Sequence, residues 1–317
     1  MQDAINICRI YTSDVPYTSF YLKNFTCFNG GFILVINTND KIKILLVFSL
    51  CLILFVPLTG FATDTPLINS LEFSTRNLDR VTLSYTSYRV YILRSPNQNI
   101  ILKEYCNRTG QDYLAITTQK DDVLDIRMGN HPRGNHDFYV EIYIPDNYSG
   151  QVYVSTESGR ISADSAHLTV RNLFLNSNSG SISAKHITTD ELTIRTVSSS
   201  VEIDNVTGFI DCKSNGRISV INSSFYGYLV STSSRIEFSS NSSCGDIYAY
   251  SSSGKITANL SASDSFTIEA KTNSGRINNN FFSNIPSTAK SLSATWGEAS
   301  KKIYIETNSS HIDINMI

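Results

Sequence analysis

The stretch Val152-Tyr153-Val154-Ser155-Thr156-Glu157-Ser158-Gly159-Arg160-Ile161 returns, in altered letters, as Ile268-Glu269-Ala270-Lys271-Thr272-Asn273-Ser274-Gly275-Arg276-Ile277. Both run apolar-x-apolar, then a Thr, a Ser/Asn/Gly corner, a basic residue and an aliphatic anchor. Eight copies end at Ile161, Ile182, Val201, Ile218, Ile236, Ile256, Ile277 and Ile312. The first seven anchors follow one another at intervals of 17 to 21 residues, and 35 residues precede the last. So short a unit cannot bury a core alone, and a regular period of this length marks stacked repeats.

In seven copies an apolar residue stands seven positions before the anchor: Val154, Leu175, Ile194, Leu229, Ala249, Ala270 and Ile305. The fourth, Ile210-Asp211-Cys212 before Gly216-Arg217-Ile218, is one residue short at its corner. Alternation with period two on both sides of the corner reads as strand, turn, strand, each strand burying one face. Gly159, Gly180, Gly216, Gly254 and Gly275 are expected to supply φ > 0 at the bend, where Ser199, Ser234 and Ser310 stand in other copies. Thr156, Ser177, Thr196, Ser231, Ser251, Thr272 and Thr307 should form a hydroxyl ladder beside it.

The expected fold is all-β: a parallel β-helix, or β-solenoid, of rungs about 20 residues long, with an N-terminal antiparallel β capping region. An antiparallel sandwich competes, but its Asn-Gly or Asp-Gly hairpin turns are replaced here by Ser-Gly-Arg and Ser-Gly-Lys. Residues 152–317 form the repeat region. An insertion at 278–300 holds Phe281, Phe282 and the only tryptophan, Trp296. Residues 63–151 lack the corner signature yet read as strands, for example Val81–Tyr85 and Phe138–Ile144.

Arg160, Arg217, Arg235, Lys255 and Arg276 recur one residue before the anchor. Stacked, they would line one edge at about 4.8 Å per rung. That edge is either a solvated, solubilising corner or an anion-facing stripe for lipid head groups, acidic polymers or an acidic partner. No aromatic interleaving accompanies it, which argues against nucleic acid.

Lys41-Ile42-Lys43 precedes the apolar run Ile44–Val56, which is followed by Pro57 and by Gly60-Phe61-Ala62. Basic residues, apolar core and small-x-small end make a secretory signal or single membrane anchor of residues 41–62. The 13-residue core spans about 20 Å as a helix, and about 28 Å when extended to Ala62, against a hydrocarbon core of about 30 Å. Cleavage after Ala62 gives a secreted protein; retention gives a single-pass anchor with everything beyond residue 63 on the extracytoplasmic face. Residues 1–40 are then a cytoplasmic tail or the product of a start assigned too early. Of six cysteines, only Cys106, Cys212 and Cys244 fall beyond this segment, too few and too irregular for a disulfide scaffold or zinc site. Cys212 reads as a small core residue.

No catalytic constellation, cofactor motif or metal site stands out. His131 and His136 read as exposed loop histidines. Asp121, Asp122 and Asp125 lack the calcium-loop pattern and read as a solvated turn. Parallel β-helices also carry polysaccharide lyases and glycosidases, but the acidic residues Glu157, Glu202, Glu237 and Glu269 are spread one per rung rather than paired.

The repeated Ser-Gly-x-Ile corners and the closing stretch Trp296–Ile314 resemble the bacterial "putative adhesin", β-strand-repeat family of envelope-anchored proteins, over roughly residues 75–317. The resemblance implies a signal or anchor followed by an extracytoplasmic β-repeat domain, and no catalytic residues. Some relatives are associated with envelope-stress signalling. Three functions follow as expectations. The first is a non-enzymatic adhesin-like or scaffold module whose partner is a cell-envelope component, an anionic lipid or polymer, or a membrane protein. The second is an envelope-stress component acting with a membrane partner. The third is a carbohydrate-active enzyme.

Overall fold

Because each copy repeats the same in–out alternation, inward residues of successive copies fall directly over one another. In the computed structural model Ile161 pairs with Ile182, Ile182 with Val201, Val201 with Ile218, Ile218 with Ile236 and Ile236 with Ile256, always between parallel strands. The described residues are 65–317 less 109, 131–135, 147 and 283–288, with the backbone of two short hairpins, Cys27–Phe28 with Gly31–Phe32 and Val35–Thr38 with Lys41–Ile44. The remainder of the expected signal or anchor lies outside them. Among the described residues no helix is long and apolar enough to cross a membrane. The chain divides into the units Met1–Asp64 and Thr65–Ile317.

Within the second unit every rung gives one strand to each of two parallel sheets, so the fold is the expected β-solenoid. Sheet A holds the strands before the corner. Its order is Val123–Arg127, Arg80–Tyr85, Gln151–Thr156, Asn172–Ser177, the second halves of Ile182–Thr196 and Val201–Ser214, Ser224–Ser231, Ile247–Ser251, Lys302–Thr307 and Phe266–Thr272. Sheet B holds the strands after the corner in the same rung order, from Phe138–Ile144 to Ile277–Asn279. Inward aliphatics such as Leu83, Val152, Leu173, Leu192 and Ile210 are fully buried. Each contributes about 1.5–3 kcal/mol by leaving water, and the stack accumulates this rung by rung.

The parallel stack begins upstream of the repeat signature, since Arg80–Tyr85 and Val123–Arg127 already pair in parallel. The antiparallel cap is also present: Leu67–Ser74 pairs with Asn99–Cys106, which pairs with Phe138–Ile144. Inside the cap, Glu104 is fully buried. It accepts hydrogen bonds from Tyr85 Oη at 2.8 Å, Asn69 Nδ2 at 2.7 Å and the Ala115 amide at 2.8 Å. Three donors around an acceptor-only group offset the cost of burying it.

Rung order departs from chain order at both ends. The 123–144 rung lies outside the 80–94 rung. At the far end the C-terminal rung, Lys302–Thr307 and Ile312–Met316, is inserted between the 247–260 rung and the 266–279 rung. The residues explain the choice. Ile303, Ile305, Ile312 and Ile314 fill inward positions of an interior rung. The 266–279 rung instead places Asn279 opposite Ile314. Asn279 Oδ1 accepts the amides of Phe281 and Phe282 and turns the chain over the end. Ser291–Trp296 then closes sheet A antiparallel to Phe266–Thr272, with Trp296 edge-on to Phe281 at 4.8 Å.

The corner works differently from the sequence expectation. None of Gly159, Gly180, Gly216, Gly254 and Gly275 has positive φ. They are glycines because the neighbouring rung comes too close: a Cβ on Gly180 would lie 1.8 Å from the Gly159 carbonyl oxygen, and one on Gly275 1.7 Å from that of Ser310. Wherever a serine takes the corner, at Ser199, Ser234 and Ser310, the next rung lays a glycine over it. Positive φ sits instead at the second bend, leaving sheet B, at His167, His186, Asn205 and Asn222. Asn is among the side chains that tolerate this region best.

The hydroxyl ladder is buried throughout. Ser177 Oγ accepts the Gly180 amide at 2.8 Å and donates to the Gly159 carbonyl below at 3.3 Å. Thr272 does the same for Gly275 and Ser310, at 3.0 and 2.9 Å. Ser177 and Thr272 thereby each cap their own corner and tie it to the next, whereas Thr156 Oγ1 bonds only the Gly159 carbonyl of its own corner and Thr196 Oγ1 is buried without a hydrogen bond among the described residues. In the short fourth copy Ser214 takes this role, its Oγ accepting the Gly216 amide from two residues away rather than three.

Candidate interaction surface

The stack puts the corner cations in an order the chain does not show. Corner carbonyls accept anchor amides from rung to rung along Arg160, Ser181, Ser200, Arg217, Arg235, Lys255, His311 and Arg276. Two serines therefore separate Arg160 from the rest, and the inserted rung places His311 between Lys255 and Arg276. Arg217 pairs with Glu237 at 2.9 Å, and Lys255 with Asp313. Arg160 donates to Ser181 Oγ at 3.0 Å. Arg235 and Arg276 are exposed and have no ion pair among the described residues. The edge is a partly neutralised basic strip.

A second feature lies on the outer face of sheet A. Phe209 pairs with Tyr226, and Tyr228, Tyr248 and Tyr304 pair in register on consecutive rungs. Tyr226 and Tyr228 are 49% and 46% exposed, unusual for large rings outside an interface. Ring centroids run 5.3 Å from Phe209 to Tyr226, 5.2 Å from Tyr228 to Tyr248 and 6.3 Å from Tyr248 to Tyr304. Tyr250, on the same face, accepts from Asn308 Nδ2 at 3.2 Å. Nearer the N-terminal end, Tyr153 and Phe174 stack at 4.2 Å with Arg80 over Tyr153.

The hollows are shallow. A groove of about 370 Å³ is lined by Arg80, Thr82, Tyr153, Ser155, Phe174 and Asn176 and contains no carboxylate. A smaller one of about 240 Å³ includes Glu157 as its single carboxylate. Neither offers the carboxylate pair that glycoside hydrolysis uses. On sheet B, Glu141 accepts Tyr105 Oη at 2.8 Å and Tyr143 Oη at 2.7 Å. Burial and then this bond raise Tyr143 to about 12.

Other residues singled out in the sequence have structural duties. Asp121 and Asp122 form an exposed turn, and Asp125 pairs with Arg127 at 2.6 Å. His136 is half-buried rather than exposed, hydrogen-bonded to Tyr88 Oη at 2.9 Å, while His131 lies outside the described residues. Cys106, Cys212 and Cys244 are free and buried, and burial pushes the Cys212 thiol far up, leaving it inert.

A family model, Toastrack DUF4097, matches residues 80–315, from the first parallel strand of sheet A almost to the end of the inserted rung. The chain belongs to the Toastrack DUF4097 family. Among curated proteins none matches it. Its fold is similar to that of a "putative cell adhesion protein" from Clostridium sporogenes, at 14% identity and a TM-score of 0.32 over 78% of this chain and 99% of the other. It is also similar to a "putative adhesin" from Bacteroides fragilis, at 13% identity and a TM-score of 0.35 over 78% and 97%. At such values the likenesses carry no functional weight.

In this Toastrack stack the aromatic tract escapes a reading that follows the inward columns. Its signal is present all the same. Tyr228, Tyr248 and Tyr304 each stand one residue before the second inward position, at Leu229, Ala249 and Ile305. Aligning copies on that position brings the tyrosines into one outward column.

Proposed function

We propose that this Toastrack protein is a non-enzymatic, adhesin-like module that acts outside the cytoplasmic membrane, carried there by residues 41–62, and grips its partner with the outer face of sheet A. The exposed aromatic tract supports this reading above all: rigid, hydroxyl-tipped rings give contact area at low entropic cost. The chain enters the stack through Leu67–Ser74, whereas the tract occupies rungs toward the opposite end. The partly paired corner cations add a weak electrostatic contact to anionic envelope components.

Protease shaving of intact cells, combined with attachment assays on Tyr228→Ala and Tyr248→Ala cells, tests the proposal. Shaving should remove residues beyond 63 from intact cells, and the substitutions should reduce attachment without lowering surface abundance. Protection from protease, or attachment indifferent to both substitutions, would overturn it.

A further inference from the structure

We infer that the tract formed by Phe209, Tyr226, Tyr228, Tyr248 and Tyr304 binds an uncharged polysaccharide lying along the stack axis. The inference rests on the reading of sheet A as the contact face and names the ligand class.

Ring geometry comes first. At Tyr153 and Phe174 the planes are 2° apart at 4.2 Å, so each ring covers the other's face. Along the tract the centroids stand 5.2 to 6.3 Å apart and the planes tilt by 26° to 78°. Parts of the ring faces therefore stay uncovered, and their negative π-density suits the polarised C–H bonds on the flat side of a sugar ring.

Hydrogen-bonding capacity points the same way. Tyr304 Oη is committed to Glu306 at 2.6 Å. The hydroxyls of Tyr226, Tyr228 and Tyr248 make no hydrogen bond among the described residues. Each can both donate to and accept from a ligand hydroxyl.

Charge selects against the alternatives. Beside the tract the cations Arg195, Lys213 and Lys302 are offset by carboxylates in register with its rings, Glu191 with Phe209, Asp211 with Tyr228 and Glu269 with Tyr304, and by Asp246 and Glu306. Asp211 pairs with Arg195, Asp246 accepts the Lys302 amide at 2.8 Å, and Glu306 accepts Tyr304 Oη. Almost no field remains to draw a polyanion, whose attraction depends on unneutralised cations. Tyr228, Tyr248 and Tyr304 also recur in register at about 4.8 Å per rung. A ligand along the axis thus meets the same chemistry repeatedly, which suits a polymer of like units.

The test is affinity electrophoresis of the full-length protein in detergent, through gels containing hydroxyethyl cellulose or mannan, against alginate and blank gels. Neutral polysaccharide should retard the protein, and Tyr228→Ala and Tyr248→Ala should each weaken retardation about tenfold or more, as for a ring at the centre of a contact. Tyr153→Ala, outside the tract, should leave it unchanged, and far-UV circular dichroism should confirm that every variant is folded. Retardation by alginate equal to that by the neutral polymers overturns the inference, as does retardation that survives both tract substitutions. If neither neutral polymer retards the protein while the same substitutions still abolish cell attachment, the glycan assignment fails and the sheet A reading stands.

Discussion

Lys301 and Asp264 form an ion pair at 2.6 Å with side chains only 4% and 2% exposed. Lys301 Nζ also donates to the Asn241 carbonyl, while Asp264 accepts from the Ser265 amide and Ser240 Oγ. The pair thus fastens the turns ahead of three neighbouring rungs, where the inserted rung meets its neighbours. Lys301→Met leaves Asp264 buried without its counter-charge, a loss of about 3–5 kcal/mol. With about 2–4 °C of melting temperature per kcal/mol for a domain of this size, the transition should fall on the order of 10 °C. Trp296 packs at that end and is the only tryptophan, so its fluorescence reports the damage locally, while far-UV circular dichroism reports the whole stack. The fluorescence transition should drop first and separate from the dichroism, because solenoid rungs couple mainly to their neighbours. Asp264→Asn combined with Lys301→Met should recover part of the loss. A fluorescence shift below about 2 °C for Lys301→Met, or single losses that simply add in the double variant, would refute the reasoning.

Gly180→Ala should cost about 1–3 kcal/mol in urea unfolding, since its Cβ meets a backbone carbonyl that cannot swing away; an unchanged midpoint would show that the corner has slack. Hydrogen bonding to Glu306 and then burial raise Tyr304 from 10.0 to about 12, and burial does the same for Tyr88 and, with Glu141, for Tyr143. Folding therefore favours the protonated phenols: their contribution is complete below pH 10 and is lost as pH rises from 10 through 12. Urea midpoints should fall between pH 9 and 11.5, and a flat profile there contradicts the assignment. Arg235→Gln with Arg276→Gln should weaken association with anionic liposomes at low salt, with the difference fading above about 0.15 M. Equal binding of variant and parent removes the corner from the contact surface.

The inward columns were legible because burial enforces them: an anchor displaced by one residue would point outward. The short corner at Ser214 could be read for the same reason, from the slip at Cys212. The role of the corner glycines could not. A glycine required by a neighbouring carbonyl and one required by positive φ look alike until the rungs are stacked. Rung order was hidden as well, since Ile303, Ile305 and Ile312 fit the ladder as well as Ile268, Ala270 and Ile277. At the far end, Asn279 at an inward position and the buried pair Asp264 and Lys301 mark where order and sequence part. The rungs at 80–94 and 123–144 lacked the corner signature, with Tyr85 standing where later copies carry Ser or Thr. The aromatic tract is a property of the outward positions, which the stack leaves free to vary.

The inserted rung has a consequence for synthesis. Residues 302–316, made after both neighbouring rungs, do not add to an end of the stack; they fill a slot between those rungs. Until they arrive, the 247–260 rung and the 266–279 rung lack the strands that join them in the finished stack. A nascent or prematurely ended chain stopping at residue 300 therefore leaves four strands without those partners, Ile247–Ser251, Ile256–Leu260, Phe266–Thr272 and Ile277–Asn279, and open edges are templates for pairing with other chains. Such a chain is predicted to be protease-sensitive and self-associating, and a monomeric, resistant fragment would show that the slot closes without its strand. The far end of the stack closes only when residues 302–316 enter between two rungs that precede them in the chain.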